Sequence, residues 1–275
     1  LNPSSTAGHN VGTCRPRRRR GSNWANVTEV TAMKANVVLS LAVLAALVAF
    51  PHGAFTGEEP GKPNRHVLPI NSKPYGMSYG EWSAAWWQWA YSLPADGHPL
   101  FDTADCSEGQ SGKVWFLGGT FTTVEEAPGV VVGKAERECT VPAGTALFFP
   151  IVNAEANTFD DPDASEEDLR GVANFLGDHI QDLSCTIDGT PVEQLHLFRA
   201  ESPQFTIGPL PENNILGIEA GSTAKSVGDG VFLMLAPLPK GTHVIEFSGA
   251  AEFTAEDDGF DFVFMLNIRY CITVE

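Results

Sequence analysis

A mainly β fold is what this sequence predicts: an antiparallel, jelly-roll-like β-sandwich with two amphipathic helices packed on it. Three observations carry the expectation. Phe262, Phe264, Leu266, Ile268, Tyr270, Ile272 and Val274 recur with period two over thirteen residues, so one face of a long strand must be buried. Short apolar runs from Lys113 onward are punctuated by Gly and Pro clusters, the pattern of sandwiches and barrels. Only two segments carry the helical period.

In chain order, residues 1–32 read as a basic leader or translated upstream sequence, with Arg15 and Arg17 to Arg20 and little apolar content. Residues 33–54 read as a signal peptide. Met33-Lys34 gives a positive start, Val37 to Phe50 an apolar run, and cleavage is expected near Ala54. The run is shorter than the roughly 20 residues a membrane span needs. No later segment is long and apolar enough to span, so the expected location is secreted or periplasmic. Residues 55–75 form an extended lead-in, and 76–275 a single sandwich domain.

The first helix is expected to start at Ser78, since Ser78 and Glu81 form a Ser-x-x-Glu capping box. Trp82, Ala85, Trp86, Trp89 and Leu93 make its stripe, and Pro94 ends it. Four of the six tryptophans fall here, Trp82, Trp86, Trp87 and Trp89, and Trp87 lies off the stripe as the candidate exposed ring. Strands are expected at Val114 to Leu117, Val130 to Val132, Cys139 to Val141 and Thr145 to Phe149. A second helix begins at the N-cap Ser165, with Leu169, Val172, Leu176, Ile180 and Leu183 as its apolar face. Asp188-Gly189 then turns a hairpin between Cys185 to Ile187 and Val192 to Phe198. Val231 to Leu235, the alternating His243, Ile245 and Phe247, and the long final run complete the sheets.

Charge narrows the partners. The 275 residues carry a net charge of −17. Residues 1–54 hold six basic residues and one acid, which leaves 11 basic and 33 acidic residues, a net charge of −22. So acidic a domain repels phosphate backbones and anionic lipid, which argues against nucleic acid. A small-molecule ester or a polysaccharide is the expected partner, with no cofactor. Four cysteines follow the leader's Cys14, and two disulfides are expected, Cys106–Cys139 and Cys185–Cys271, among three possible connectivities. No Cys-x-x-Cys or His-x-x-x-His spacing marks a zinc site, and no metal is expected.

Several segments resemble a group of exported bacterial proteins of unassigned activity. They are Ser78-Tyr-Gly-Glu-Trp with Trp86-Trp-Gln-Trp-Ala, Val114-Trp-Phe-Leu-Gly-Gly-Thr120, Cys139-Thr-Val-Pro-Ala-Gly-Thr-Ala-Leu-Phe-Phe-Pro-Ile151 and Pro237-Leu-Pro-Lys-Gly-Thr-His-Val-Ile-Glu-Phe247. The resemblance runs from about Tyr75 onward. It implies a secreted β-rich fold and carries no catalytic residues.

Gly76-Met-Ser78-Tyr-Gly80 matches Gly-x-Ser-x-Gly, in which glycines allow a sharp turn that exposes a nucleophilic hydroxyl. A helix follows, but no buried strand precedes, and the capping box accounts for Ser78 without chemistry. As nucleophile, Ser78 would need a base and an orienting acid. His243 and Asp229 are the candidates, giving a secreted serine-type carboxylic ester hydrolase. Trp87, Trp86, Tyr79 and His98 are candidate substrate contacts, and His98 is also a second candidate base. The alternatives are a non-catalytic module that grips carbohydrate or a cell surface, and a structural envelope protein. Glu81, Glu155 and the acids Asp160, Asp161 and Asp163 raise a glycosidase reading that needs two carboxylates about 5–10 Å apart. Asp160 to Asp163 lacks a calcium-loop pattern and reads as an acidic turn. His179 and His196 fall into no metal-ligand spacing.

Overall fold

The computed structural model describes residues 64–101 and 105–275. The leader, the signal peptide and the start of the lead-in lie outside the described residues. The rest of the lead-in is held to the body. Leu68 donates its N–H to the Met234 carbonyl at 2.8 Å, and Val67 bridges Leu235.

Among the described residues, eleven strands form two sheets. One contains β1 (Val114–Phe116), β4 (Ala146–Asn157), β7 (Arg199–Glu201), β8 (Phe205–Ile207) and β9 (Ala224–Leu235). Its order is β1-β4-β9-β7, with β8 also pairing β9. The other contains β2 (Thr123–Ala127), β3 (Val130–Val141), β5 (Ile180–Ile187), β6 (Thr190–Pro191), β10 (Gly241–Phe253) and β11 (Phe262–Val274), in the order β2-β3-β11-β10-β5-β6. The helices are α1 (Tyr79–Ser92) and α2 (Glu166–Asp178). The fold is thus mainly β, but the expected antiparallel jelly-roll pairing is corrected. β1 runs parallel to β4 and β3 parallel to β11, so both sheets are mixed.

The main core lies between the sheets. Leu147, Phe149, Ile151, Val231, Leu233 and Leu235 meet Ile245, Phe247, Ile268, Tyr270 and Ile272 there. Phe149 stacks on Phe247 with centroids 5.1 Å apart. The long alternating run behaves as its period requires: Leu266 to Val274 bury every second side chain against this core, while Phe262 and Phe264 are only part-buried. The two expected strands at Val130 and Cys139 are one, β3, paired along its whole length with β11.

Two expectations fail, the first because long-range pairing outweighs local pattern and the second because the backbone turns locally. The second helix stops at Asp178. Ile180 and Leu183, expected on its apolar face, belong to β5, which pairs with β10 from Ala251↔Ile180 to Ile245↔Ile187. Val192 to Phe198 is not a strand: Gln194 adopts a left-handed conformation and a 3-10 helix follows at Leu195–Phe198.

The sulfur chemistry is half as expected. Cys106 and Cys139 are bridged, with Cα atoms 5.7 Å apart. The Cys185–Cys271 bridge does not form. Cys185 is a free, buried thiol, and Cys271, itself disulfide-bonded, does not pair with it. Geometry forbids the pair. β10 lies between β5 and β11, with Cys185 opposite Phe247 and Cys271 opposite Val244. Strands two places apart are separated by about 9–10 Å, beyond the reach of roughly 7 Å between bridged Cα atoms. Burial pushes the Cys185 thiol up to about 12, which leaves it unreactive in the folded chain.

A bulge in β4 sets the stage for the candidate site. Register with β9 shifts between Pro150 and Val152. Before it, Ala146 and Phe148 face α1, while Leu147 and Phe149 face the other sheet. Ile151 and Val152 both enter the inter-sheet core. The parity then changes, because an extra residue turns the following side chains over. Asn153, Glu155 and Asn157 now share a face with Gly230, Gly228 and Ser226 of β9. The opposite face of this end, with Ala156 and Val227, is covered by Leu169 and Ala173 of α2.

Candidate functional site

α1 is buried almost all round. Both halves of its capping box form: Ser78 Oγ accepts the Glu81 N–H at 3.3 Å, and Glu81 Oε2 accepts from the Ser78 N–H at 2.7 Å and the Ser78 hydroxyl at 2.8 Å. These bonds hold the Glu81 carboxyl below its ordinary range, the backbone bond most. Tyr79, Trp86, Trp87, Trp89, Ala90 and Tyr91 are buried, and Trp82 is part-buried. The expectation of an exposed Trp87 is corrected: the ring is 7% exposed. It meets Trp86 edge-on at 4.9 Å and stacks on Tyr91 at 5.4 Å. Gly228 makes room for it, since a Cβ there would stand 2.9 Å from Trp87 Nε1.

Trp86 and Trp87 line a cavity of about 210 Å³, together with Leu100, Phe121, Ile151 and Asn153. The cavity reaches the surface beside the exposed Thr123. None of the described residues lining it is charged. Its polar groups divide sharply. Trp86 Nε1 donates to the Leu117 carbonyl at 2.7 Å, and the Thr120 hydroxyl donates to the Leu100 carbonyl at 3.1 Å. Trp87 Nε1, set against Gly228 of β9 and away from the cavity, and Asn153 Nδ2 are buried and have no partner among the described residues. Leaving such a donor buried and unsatisfied costs about 1–3 kcal/mol.

Beside this wall lies a carboxylate that is fully engaged. Glu155 accepts from the Tyr91 hydroxyl at 2.7 Å, from Asn157 Nδ2 at 2.8 Å and from the Ser226 hydroxyl. Burial raises its carboxyl above the ordinary range, against the pull of those three donors. Burial, and then the Glu155 charge, push the Tyr91 phenol well up. Tyr91 therefore keeps its proton and ties α1 to β4 directly behind the Trp87 ring.

The proposed triad residues stand on three elements. Ser78 caps α1. His243 lies on β10 of the other sheet, with Nδ1 2.7 Å from Asp188 Oδ2 and Nε2 2.8 Å from the Pro239 carbonyl. Asp229, wholly buried on β9, accepts from Arg199 Nε at both carboxylate oxygens, at 3.1 and 3.0 Å. No hydrogen bond joins any two of the three among the described residues. Arg199 also reaches Asp178 at 2.6 Å and the Asn174 carbonyl at 3.3 Å, so Asp229 serves to dock the end of α2.

Of the expected substrate contacts, Trp86 and Trp87 meet at the cavity, while Tyr79 and His98 do not line it. The Tyr79 hydroxyl donates to the Leu68 carbonyl and accepts the Met234 N–H at 3.1 Å. His98 is 1% exposed, donates from Nε2 to the Ala90 carbonyl at 2.8 Å and accepts the Leu100 N–H at Nδ1. Burial lowers its basicity, and both ring nitrogens are occupied, so it is a poor base. The glycosidase pair is equally unsupported. Glu81 starts α1, while Glu155 bonds Tyr91 ten residues along, a rise of about 15 Å at 1.5 Å per residue. His179 contacts Asp258 at 3.0 Å and stacks on Phe253, a structural role. No group of three His, Cys, Asp or Glu suited to a metal occurs among the described residues.

Asn153, Tyr91 and Ser226 were not singled out by sequence reasoning, and Glu155 only as one acid among several. A signal existed: Asn153, Glu155 and Asn157 recur with period two inside an otherwise apolar strand.

No protein-family model matches the chain, and a search of curated proteins finds no relative.

Proposed function

We propose that this chain is an exported, non-catalytic binding protein whose ligand is a small, largely apolar molecule held between α1 and the bulged end of β4. The observation that carries the reading is the Trp86–Trp87 cavity, which has an uncharged, largely aromatic and aliphatic lining among the described residues. Its size agrees. A cavity of roughly 150 Å³ admits benzene, so about 210 Å³ admits a ring with a short substituent and not a sugar polymer. Two mixed sheets around one core suit a sandwich scaffold of this kind, and the bridged Cys106 and Cys139 suit an oxidising compartment. No helix of the described residues is long and apolar enough to cross a membrane. The resemblance to exported bacterial proteins belongs to the same reading.

Ester hydrolysis is the less favoured reading. Ser78, His243 and Asp229 each have other partners, and the Ser78 hydroxyl already donates to Glu81. Polysaccharide stacking needs open aromatic faces, which the four clustered tryptophans do not offer.

The test is a titration of the full chain with small aromatic compounds, followed by tryptophan fluorescence and calorimetry. One-to-one saturation that Trp87→Ala abolishes is the expected result. Absence of binding, or p-nitrophenyl acetate hydrolysis that Ser78→Ala removes, overturns the proposal.

A further inference from the structure

We propose that β10 is clasped at both ends by histidines that grip only while doubly protonated, so that mild acid closes the fold and rising pH frees the β10–β11 loop and the β5–β6 turn. The device is independent of the cavity and of what fills it.

Hydrogen-bond counting carries the proposal. Beside the end of β10, His179, the C-cap of α2, sets Nδ1 2.7 Å from the Phe175 carbonyl and Nε2 3.0 Å from Asp258 Oδ1. At the start of β10, His243 sets Nδ1 2.7 Å from Asp188 Oδ2 and Nε2 2.8 Å from the Pro239 carbonyl. Carbonyls and ionised carboxylates accept and cannot donate. A neutral imidazole has one N–H, so its other nitrogen would aim a lone pair at an acceptor. Only the imidazolium donates twice. His98 gives the contrast, with the Ala90 carbonyl at one nitrogen and the Leu100 N–H at the other, which suits a neutral ring.

The surroundings agree. A helix C-terminus attracts a cation, and the His179 ring stacks on Phe253 with centroids 4.3 Å apart. The charged groups of the elements packed there are Asp258, Asp257 and Asp261 of residues 254–261, Glu252 of β10, whose N–H donates to the His179 carbonyl, and Asp178, held by Arg199. At His243 they are Asp188, Lys240 next to Pro239, and His66 and Arg65 of the lead-in. His66 accepts from Arg65 Nε at 3.2 Å, and burial and then Arg65 lower its basicity, so it stays neutral beside His243. Each clasping carboxylate holds a backbone N–H on its other oxygen, Thr254 on Asp258 and Val244 on Asp188, both at 2.9 Å. Loss of the imidazole proton therefore loosens the anchor of a loop and of a turn. Because the folded chain favours the charged rings, their contribution is present in acid and is lost as pH rises.

The experiment uses the full chain and two readouts. Proton–nitrogen spectra of the imidazoles between about pH 5 and 8, the range over which histidine switches, count the N–H groups on each ring. His179 and His243 are expected to carry two at the acid end and to lose one as pH rises, while His98 carries one throughout. Protection of the Thr254 and Val244 amides from hydrogen exchange, corrected for the intrinsic rate, should fall several-fold over the same range. His179→Gln should remove the fall at Thr254 and keep that at Val244, and His243→Gln should do the reverse. This crossing separates the clasps from Glu155, whose titration would act alike in all three chains. One N–H on both rings at the acid end overturns the proposal, and that reading needs no variant to fold. Protection that ignores pH, or that falls equally in parent and variants, overturns it as well.

Discussion

α1 and α2 cover opposite faces of one sheet, and they do so with opposite chemistry. Each begins with a serine capping box, Ser78 with Glu81 and Ser165 with Asp168. Beyond the caps they diverge. α2 is amphipathic, buries only Leu169, Ala173 and Gly177, and is docked by a polar clamp in which Arg199 satisfies Asp229, Asp178 and the Asn174 carbonyl. Gly177 is required there, because a Cβ would stand 2.2 Å from Asp229 Oδ2. α1 is buried on nearly every side by aromatic rings, yet the wall it makes with β4 leaves two donors without protein partners. The contrast separates two ways of docking a helix. At α2 a buried carboxylate and its arginine hold the helix to the sheet, and at α1 aromatic packing does so and leaves a cavity beside it.

The largest effect should come from breaking the α2 clamp. Arg199→Ala leaves Asp229 buried without its cation, and loss of one partner of a buried ion pair costs about 3–5 kcal/mol. Urea denaturation should show that loss, with ligand binding at the α1 face retained by the folded fraction. A loss under 1 kcal/mol would mean that α2 is held by its apolar face alone.

Glu155 should give an intermediate effect that depends on pH. Its folded carboxyl is raised above the ordinary value of 4.5, so the folded chain favours the neutral form. That contribution is complete below pH 4.5 and is lost as pH rises through the raised value. Glu155→Gln does not titrate, and its urea midpoints measured on both sides of that value should fall less on going to neutral pH than those of the parent. Parallel profiles would remove Glu155 as the cause.

The smallest effects should be at the caps. Ser78→Ala and Ser165→Ala should each cost about 1 kcal/mol, the usual worth of an N-cap serine, and by similar amounts. A Ser78→Ala chain that is unchanged in stability but altered in function would restore a chemical role to that hydroxyl.

Much of the frame was legible in the sequence. The period-two run of β11, both capping boxes and the helical stripe of α1 are local signals, and local signals survive folding. Long-range pairing was not legible. The parallel partnership of β3 with β11 joins distant segments, and β5 claimed Ile180 and Leu183 that looked helical, because sheet hydrogen bonds to β10 are invisible in a helical wheel. The same blindness misassigned Cys185, since a period-two pattern cannot say that β10 intervenes between β5 and β11. The site was half visible. The tryptophan cluster announced itself, but Trp87 was expected outside because the stripe has one face, whereas β8, β9 and the loops wrap the other. Asn153 was hidden by the bulge, which no propensity reveals and which alone turns it toward α1.

The most direct measurement is a proton–nitrogen correlation spectrum of the indole groups, with Trp87 assigned through Trp87→Phe. Addition of a small aromatic compound such as ethylbenzene to the full chain should shift the Trp86 and Trp87 indole resonances, because a ring seated in the cavity they line changes the ring-current field at both. A Trp87 resonance that stays in place as the compound saturates the chain would contradict the account, for it would put the ligand elsewhere.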